Sequence, residues 1–180
     1  GIYPDIAVFA KALGNGYAIS ACIGRKEVME VAQETFISST FWTERIGLAA
    51  ARKTLEVMER EKSWEVISHI GRSITDGWKS LAIKHDLSIA TFGLSALGGY
   101  AFNSPDNLKY KTLVTQEMLK KGYLASNSVY ACTEHKQDIL DGYFDALDPI
   151  FALIKRCEDE LDVTSLLNGP ICHSGFQRLN

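Results

Sequence analysis

Little in this sequence is in short supply without excluding something. Only four cysteines occur (Cys22, Cys132, Cys157, Cys172), far apart, with no CxxC pair and no metal-ligand spacing. Neither a disulfide framework nor a zinc knuckle therefore organises the chain, and the thiols read as those of a reducing compartment. No apolar run approaches the roughly 20 residues that span a bilayer, and no signal-peptide pattern opens the chain. Charge of one sign is lacking too: 19 Lys and Arg against 22 Asp and Glu leave a net charge of −3. That balance argues against a nucleic-acid clamp and against a polybasic membrane anchor. His69, His85, His135 and His173 share no metal-site spacing and read as structural or solvated. Asp138, Asp141, Asp145 and Asp148 form an acidic helix face without the Gly and Glu of a calcium loop. What is present is 180 residues, 46% hydrophobic and 23% charged, enough to bury a core. The expectation is a soluble, cytoplasmic, globular chain with no metal, nucleic-acid or membrane partner.

The chain opens on Pro4-Asp5 and the apolar stretch Ile6-Ala7-Val8-Phe9-Ala10. A short apolar run bounded by Pro and a Gly-rich turn predicts a strand buried on both faces, as in a parallel sheet. Little before residue 88 could supply its neighbours, so further strands are expected upstream, in a larger protein. A second apolar stretch, 20–24, precedes a helix over 26–33. Residues 35–44 carry hydroxyls and aromatics with neither period and predict a loop. Helices follow over about 45–60, with Leu48, Ala51, Leu55 and Met58 as the apolar stripe, and about 64–85, with Ile67, Ile70, Ile74, Trp78 and Leu81. From 88 the pattern changes to short strands (88–92, 97–103), a helix (108–121) stopped by Gly122, a further strand pair (123–125, 129–132) and a final helical region. Pro149 either kinks that region or begins a second helix capped by Asp148. The tail from Asn168 is Gly- and Pro-punctuated coil. There are no internal repeats.

Lys11 is the most informative position. It follows a buried-looking strand at the mouth of Gly14-Asn15-Gly16, and ligands of parallel α/β sheets bind outside the carboxyl ends of the strands. A lysine there, partly withdrawn from water, is a nucleophilic amine suited to Schiff-base chemistry. A solvated lysine closing a strand fits the same local pattern and is the commoner case. Ser38-Ser39-Thr40 clusters hydroxyls a few residues ahead of a helix, where they could hold a phosphate; plain capping of that helix, with Thr43 as the cap, fits as well. Gly14-Asn15-Gly16 lacks the spacing of a nucleotide loop. Trp42, Trp64 and Trp78 read as core or interface, with Phe41-Trp42 set apart by its place beside the hydroxyls. Cys22 reads as an unreactive thiol.

Residues 4–24 resemble the active-site lysine segment of class III aminotransferases, pyridoxal-phosphate-dependent enzymes of fold type I that include glutamate-1-semialdehyde aminomutase. The shared pattern is Pro-Asp, an apolar strand, Lys, a small residue, an aliphatic and Gly-x-Gly. Ser38-Ser39-Thr40-Phe41-Trp42 before an Ala-rich helix resembles the family's next landmark, at a suitable spacing. The tail Cys172-His173-Ser174-Gly175-Phe176 resembles members acting on sugars and semialdehydes. Ala18 stands where many members have Pro.

The resemblance implies an α/β fold, the C-terminal part of a fold type I transferase. Residues 1–60 would end the large cofactor-binding domain, 61–87 would link, and 88–180 would form a small α+β domain. It implies pyridoxal 5'-phosphate as cofactor and amine and carbonyl small molecules as substrates. Lys11 matches the lysine that forms the internal aldimine and shuttles the proton between substrate and cofactor. Thr40, with Ser39, matches the contact to the cofactor phosphate of the opposite subunit of a homodimer. The family's phosphate loop, ring-stacking aromatic and pyridine-pairing Asp lie upstream of its lysine, so the chain alone is expected to be inactive. An aminomutase, a catalytically incomplete dimerisation or binding fragment, and a cofactor-free lysine aldolase remain as alternatives.

Overall fold

A computed structural model describes residues 1–175, so Phe176 of the tail motif lies outside the described residues. The chain divides into two compact units, the first Gly1–Ser63 and the second from Trp64 onward.

In the first unit, β1 (Ile6–Phe9) pairs antiparallel with β2 (Ala21–Gly24), Ile6 opposite Gly24 and Phe9 opposite Ala21. Two expectations are corrected here. The stretch after the Gly-rich turn does supply a neighbour for the first strand, and the pairing is antiparallel. Nor is β1 buried on both faces among the described residues: Val8 is 71% exposed. The connection folds back because Lys11, Asn15 and Gly16 all take left-handed backbone angles, which reverse the chain direction in a few residues. Arg25 returns to the start of β1, its amide donating to the Asp5 carbonyl (3.0 Å) and its guanidinium to the Asp5 carboxylate (3.1 Å). α1 (Lys26–Met29) runs on as a 3-10 helix over Glu30–Glu34. No helix or strand forms between there and α2 (Ile46–Glu61), as the lack of period in 35–44 predicts. Gly14, Gly47 and Ala51 are the unit's buried residues, and its large apolar side chains are half-buried or exposed.

The second unit has a core of its own. α3 (Ser63–Lys84) and α5 (Gln137–Asp159) enclose, with α4 (Asn107–Lys120), one face of an antiparallel sheet ordered β3 (Ile89–Leu94), β4 (Leu97–Phe102), β5 (Ser128–Tyr130). Strand alternation explains which face is covered. Tyr100 and Phe102 of β4 point into the core, meeting Ile74 and Trp78 of α3, Leu113 and Met118 of α4, and Leu147, Phe151 and Ile154 of α5. The rings of Trp78 and Tyr100 stand 4.8 Å apart and tilted, an attractive aromatic geometry. The Trp78 indole N–H donates to the Tyr143 hydroxyl at 2.8 Å, which satisfies a donor that would otherwise be costly to bury. Burial pushes the Tyr143 phenol up to about 12.

Two further expectations change. Residues 123–125 form no strand: Tyr123 and Ala125 pack by side chain against the core, while the Asn127 carboxamide donates to the Tyr100 carbonyl (2.8 Å) and the Tyr100 amide to the Asn127 carbonyl (2.9 Å). Those bonds take the edge of β4 that a longer strand would have used. Of the two readings of Pro149, the second helix is excluded: α5 is one element of 23 residues with Pro149 inside it. Asp148 is therefore no cap, and its carboxylate reaches α3 instead, accepting from Lys84 Nζ and pairing with His85 Nε2, each at 2.6 Å.

Candidate active site

The turn after β1 presents the lysine. Lys11 opens a 3-10 turn over Lys11–Leu13 with φ 51. Its carbonyl accepts from the amides of Gly14 (3.2 Å) and Asn15 (3.1 Å), and the Gly14 carbonyl accepts from Tyr17 N (3.2 Å). A left-handed angle at a non-glycine residue is a strained conformation that persists only where its surroundings enforce it. Lys11 lines an open hollow of about 480 Å³ with Ala12, Asn15, Gly16, Tyr17 and Ala18. Small residues make most of that wall, so a flat ring could approach the amine. The side chain itself is exposed, not withdrawn from water as the strand-end reading expected, because nothing among the described residues lies over the turn.

The hydroxyl loop borders a second hollow, of about 800 Å³, lined by Ser39, Phe41, Trp42, Cys22 and Glu44 among others. Ala18 belongs to both hollows, so the cavity of Lys11 and that of Ser39 are neighbours. Ser39 Oγ accepts from Phe41 N at 3.3 Å, and the Ser39 carbonyl from Trp42 N at 3.3 Å. Thr40 is exposed at the tip of this turn and does not line the hollow.

The capping alternative fails. α2 starts at Ile46, beyond the reach of Ser38, Ser39 and Thr40, and neither they nor Thr43 bond its first amides. Glu44 does so, its two carboxylate oxygens accepting from Ile46 N (2.7 Å) and Gly47 N (3.3 Å). A carboxylate at the positive end of a helix satisfies unpaired amides and complements the helix dipole. Glu44 escaped notice in the sequence because hydroxyls are the commoner caps, although a carboxylate immediately ahead of an apolar-periodic run is a signal of its own. The Ser39 and Thr40 hydroxyls are left without a helix-capping role. Cys22 also departs from expectation: it is exposed and lines the second hollow. Phe41 and Trp42 are two-thirds exposed beside Ser39, whereas Trp78 is wholly buried.

Residues 1–131 match the family model for class-III aminotransferases. Among curated proteins, 3-aminobutyryl-CoA aminotransferase of Cloacimonas acidaminovorans is 28% identical over 162 residues, covering 87% of this chain and 39% of the relative. Glutamate-1-semialdehyde 2,1-aminomutase of Methanocaldococcus jannaschii is 23% identical over 168 residues, covering 84% and 39%. Among solved structures, the Sphingopyxis FumI protein in its PLP internal aldimine form superposes with a TM-score of 0.80 at 22% identity, over 92% of this chain and 40% of that one. Such a score establishes the fold, that of part of a fold type I transferase. The chain spans about 40% of the length of these relatives. With a match over residues 1–131, this chain belongs to the class-III aminotransferases.

Proposed function

We propose that these residues, within a protein of the relatives' full length, serve the transfer of an amino group between an amine or amino acid and a carbonyl compound, with pyridoxal 5'-phosphate as cofactor. The observation that carries the reading is Lys11 itself: a strained lysine after β1, in a hollow walled by Ala12, Gly16 and Ala18, with the hollow of Ser39 adjoining through Ala18. These residues fit the group. The amine is accessible to an aldehyde carbon, the small residues leave room for a planar ring, and the hydroxyl loop has no internal helix to cap. When bound, the cofactor supplies the electron sink for the substrate's amino carbon. Lys11 would hold the cofactor through Nζ, and the free amine would carry the proton as a general base and acid. Ser39 and Thr40 donate to the cofactor phosphate of the partner subunit in a cytoplasmic homodimer. Residues 1–60 complete the cofactor-binding domain, 61–87 link, and 88–180 form the small domain.

The 180 residues by themselves do not complete the reaction. Supporting this is the contrast between the units: the first buries only Gly14, Gly47 and Ala51, too little to fix an active site with precision. Glutamate-1-semialdehyde aminomutase among the relatives supports a second reading, return of nitrogen to the same carbon skeleton.

The test is to add pyridoxal phosphate to this chain and to the family-length protein, reduce with borohydride and map the modified peptide. The expected result is a pyridoxyl label on Lys11 alone in the family-length protein, lost in Lys11→Ala. Label scattered over surface lysines, or none, overturns the proposal.

A further inference from the structure

We infer that Ile19 is a positioning residue for Lys11, a wedge that ties the lysine turn to the start of α2; the role rests on the reading of Lys11 above. Two positions without a side chain stand against it. A Cβ on Gly14 would lie 2.8 Å from Ile19 Cγ2 and would overlap the Tyr17 carbonyl. A Cβ on Gly47 would lie 3.2 Å from Ile19 Cβ and 2.7 Å from the Ala18 carbonyl oxygen. Ile19 thus packs closely on both chain segments: a side chain at Gly14 would press on its Cγ2 and one at Gly47 would be tight against its Cβ, while the Tyr17 and Ala18 carbonyls are the harder stops at the two positions. Gly14 and Gly47 are also two of the three buried residues of the unit, so the wedge sits where packing in this unit is tightest.

Each glycine is bonded to a functional neighbour. Gly14 closes the turn by donating to the Lys11 carbonyl (3.2 Å), and Gly47 donates to the Glu44 carboxylate (3.3 Å). A continuous path therefore runs from Lys11 through Gly14, Ile19 and Gly47 to Glu44, where the hydroxyl loop ends. Ile is suited to the place because two carbons on Cβ restrict χ1 and stiffen the wedge. Without it, the left-handed angle at Lys11 loses what enforces it and the turn relaxes. Ile19 acts on Lys11 through the turn: it does not line the hollow of Lys11, and it borders that of Ser39.

The experiment compares wild type, Ile19→Val, Ile19→Leu and Ile19→Ala in the family-length protein, by two readouts. One is amide hydrogen exchange at Gly14 and Asn15 without cofactor; the other is the rate at which borohydride-trappable pyridoxal phosphate attaches to Lys11. Val keeps both carbons on Cβ and is expected to match wild type. Leu preserves volume but not the branch at Cβ, so with Ala it should speed exchange of the two turn amides about tenfold relative to α5 amides and slow attachment. Leu and Ala variants that melt lower yet keep wild-type exchange and attachment would reduce Ile19 to ordinary packing and overturn the inference. Absence of label on wild-type Lys11 sinks the cofactor reading instead, and the exchange rates still decide whether the wedge exists.

Discussion

Lys11 carries its amine on a backbone angle, φ 51, that costs an L-residue about 1–2 kcal/mol and costs glycine almost nothing. Two substitutions that both remove the amine therefore differ in stability. In the family-length protein Lys11→Gly should melt above Lys11→Ala by the equivalent of about 1 kcal/mol; equal melting would mean the turn is unstrained in solution. Tyr100 poses the opposite case. It is wholly buried, and its hydroxyl has no hydrogen-bond partner among the described residues. Burial, with Tyr143 nearby as a smaller cause, pushes its phenol well above the usual range. Tyr100→Phe should raise stability by about 1 kcal/mol by removing an unpaired polar atom, and a lowered melting temperature would show that the hydroxyl is paired. The two residues differ in legibility. Lys11 was visible because strand, lysine and Gly-x-Gly are consecutive in sequence, whereas the isolation of the Tyr100 hydroxyl depends on Trp78, Tyr143 and Phe151, which are distant along the chain.

Between elements, α3 and α5 are joined by a polar tie as well as by their apolar stripes. Lys84, then His85, hold the Asp148 carboxyl below its ordinary range. A carboxylate with a depressed folded pKa contributes its full stability above the unfolded value of about 3.9 and loses it as pH falls through the folded one. Asp148→Asn should therefore lower stability at neutral pH, by under about 1 kcal/mol because water screens the pair. The two proteins should converge in acid below the carboxylate range; a constant difference down to that pH would assign the effect to shape and not to charge. The stripes of α2 and α3 were readable from spacing, and their bounds fall within a residue or so of expectation. Pro149 and Asp148 misled because a proline preceded by a good cap reads as a helix start, while the packing of Leu147, Ile150 and Phe151 carries the helix through the missing amide. The strand expected at 123–125 failed for a related reason, since apolar residues there are held by side-chain burial and not by pairing.

At the scale of the molecule, apolar content is shared by both units but burial is not. From Trp64 onward Trp78, Tyr100, Leu113, Leu147, Phe151 and Ile154 are almost wholly buried, while in the first unit Phe36, Ile37, Phe41, Trp42 and Leu48 stand more than half exposed. Amide exchange on the 180-residue chain should show slow, cooperative protection in α3, α4, α5 and β4. Exchange in β1 and β2 should be faster by orders of magnitude, as expected where few apolar contacts guard the backbone; equal protection would show that the first unit finds burial in solution that the described residues do not contain. Composition had indicated only that a core was affordable, not where it would lie, because hydrophobicity is spread along the whole chain and only packing partners decide which of it leaves water. The unequal burial also writes a cleavage map. A protease that cuts after aromatics meets Phe36, Phe41 and Trp42 in exposed, irregular backbone, but finds Trp78, Tyr100, Phe102, Tyr110 and Phe151 inside the core and the exposed Phe92 and Tyr130 held in the paired strands β3 and β5. Brief digestion should sever the hydroxyl loop from the lysine turn while leaving α3 through α5 intact, dividing the chain along the line between what it buries by itself and what it leaves exposed.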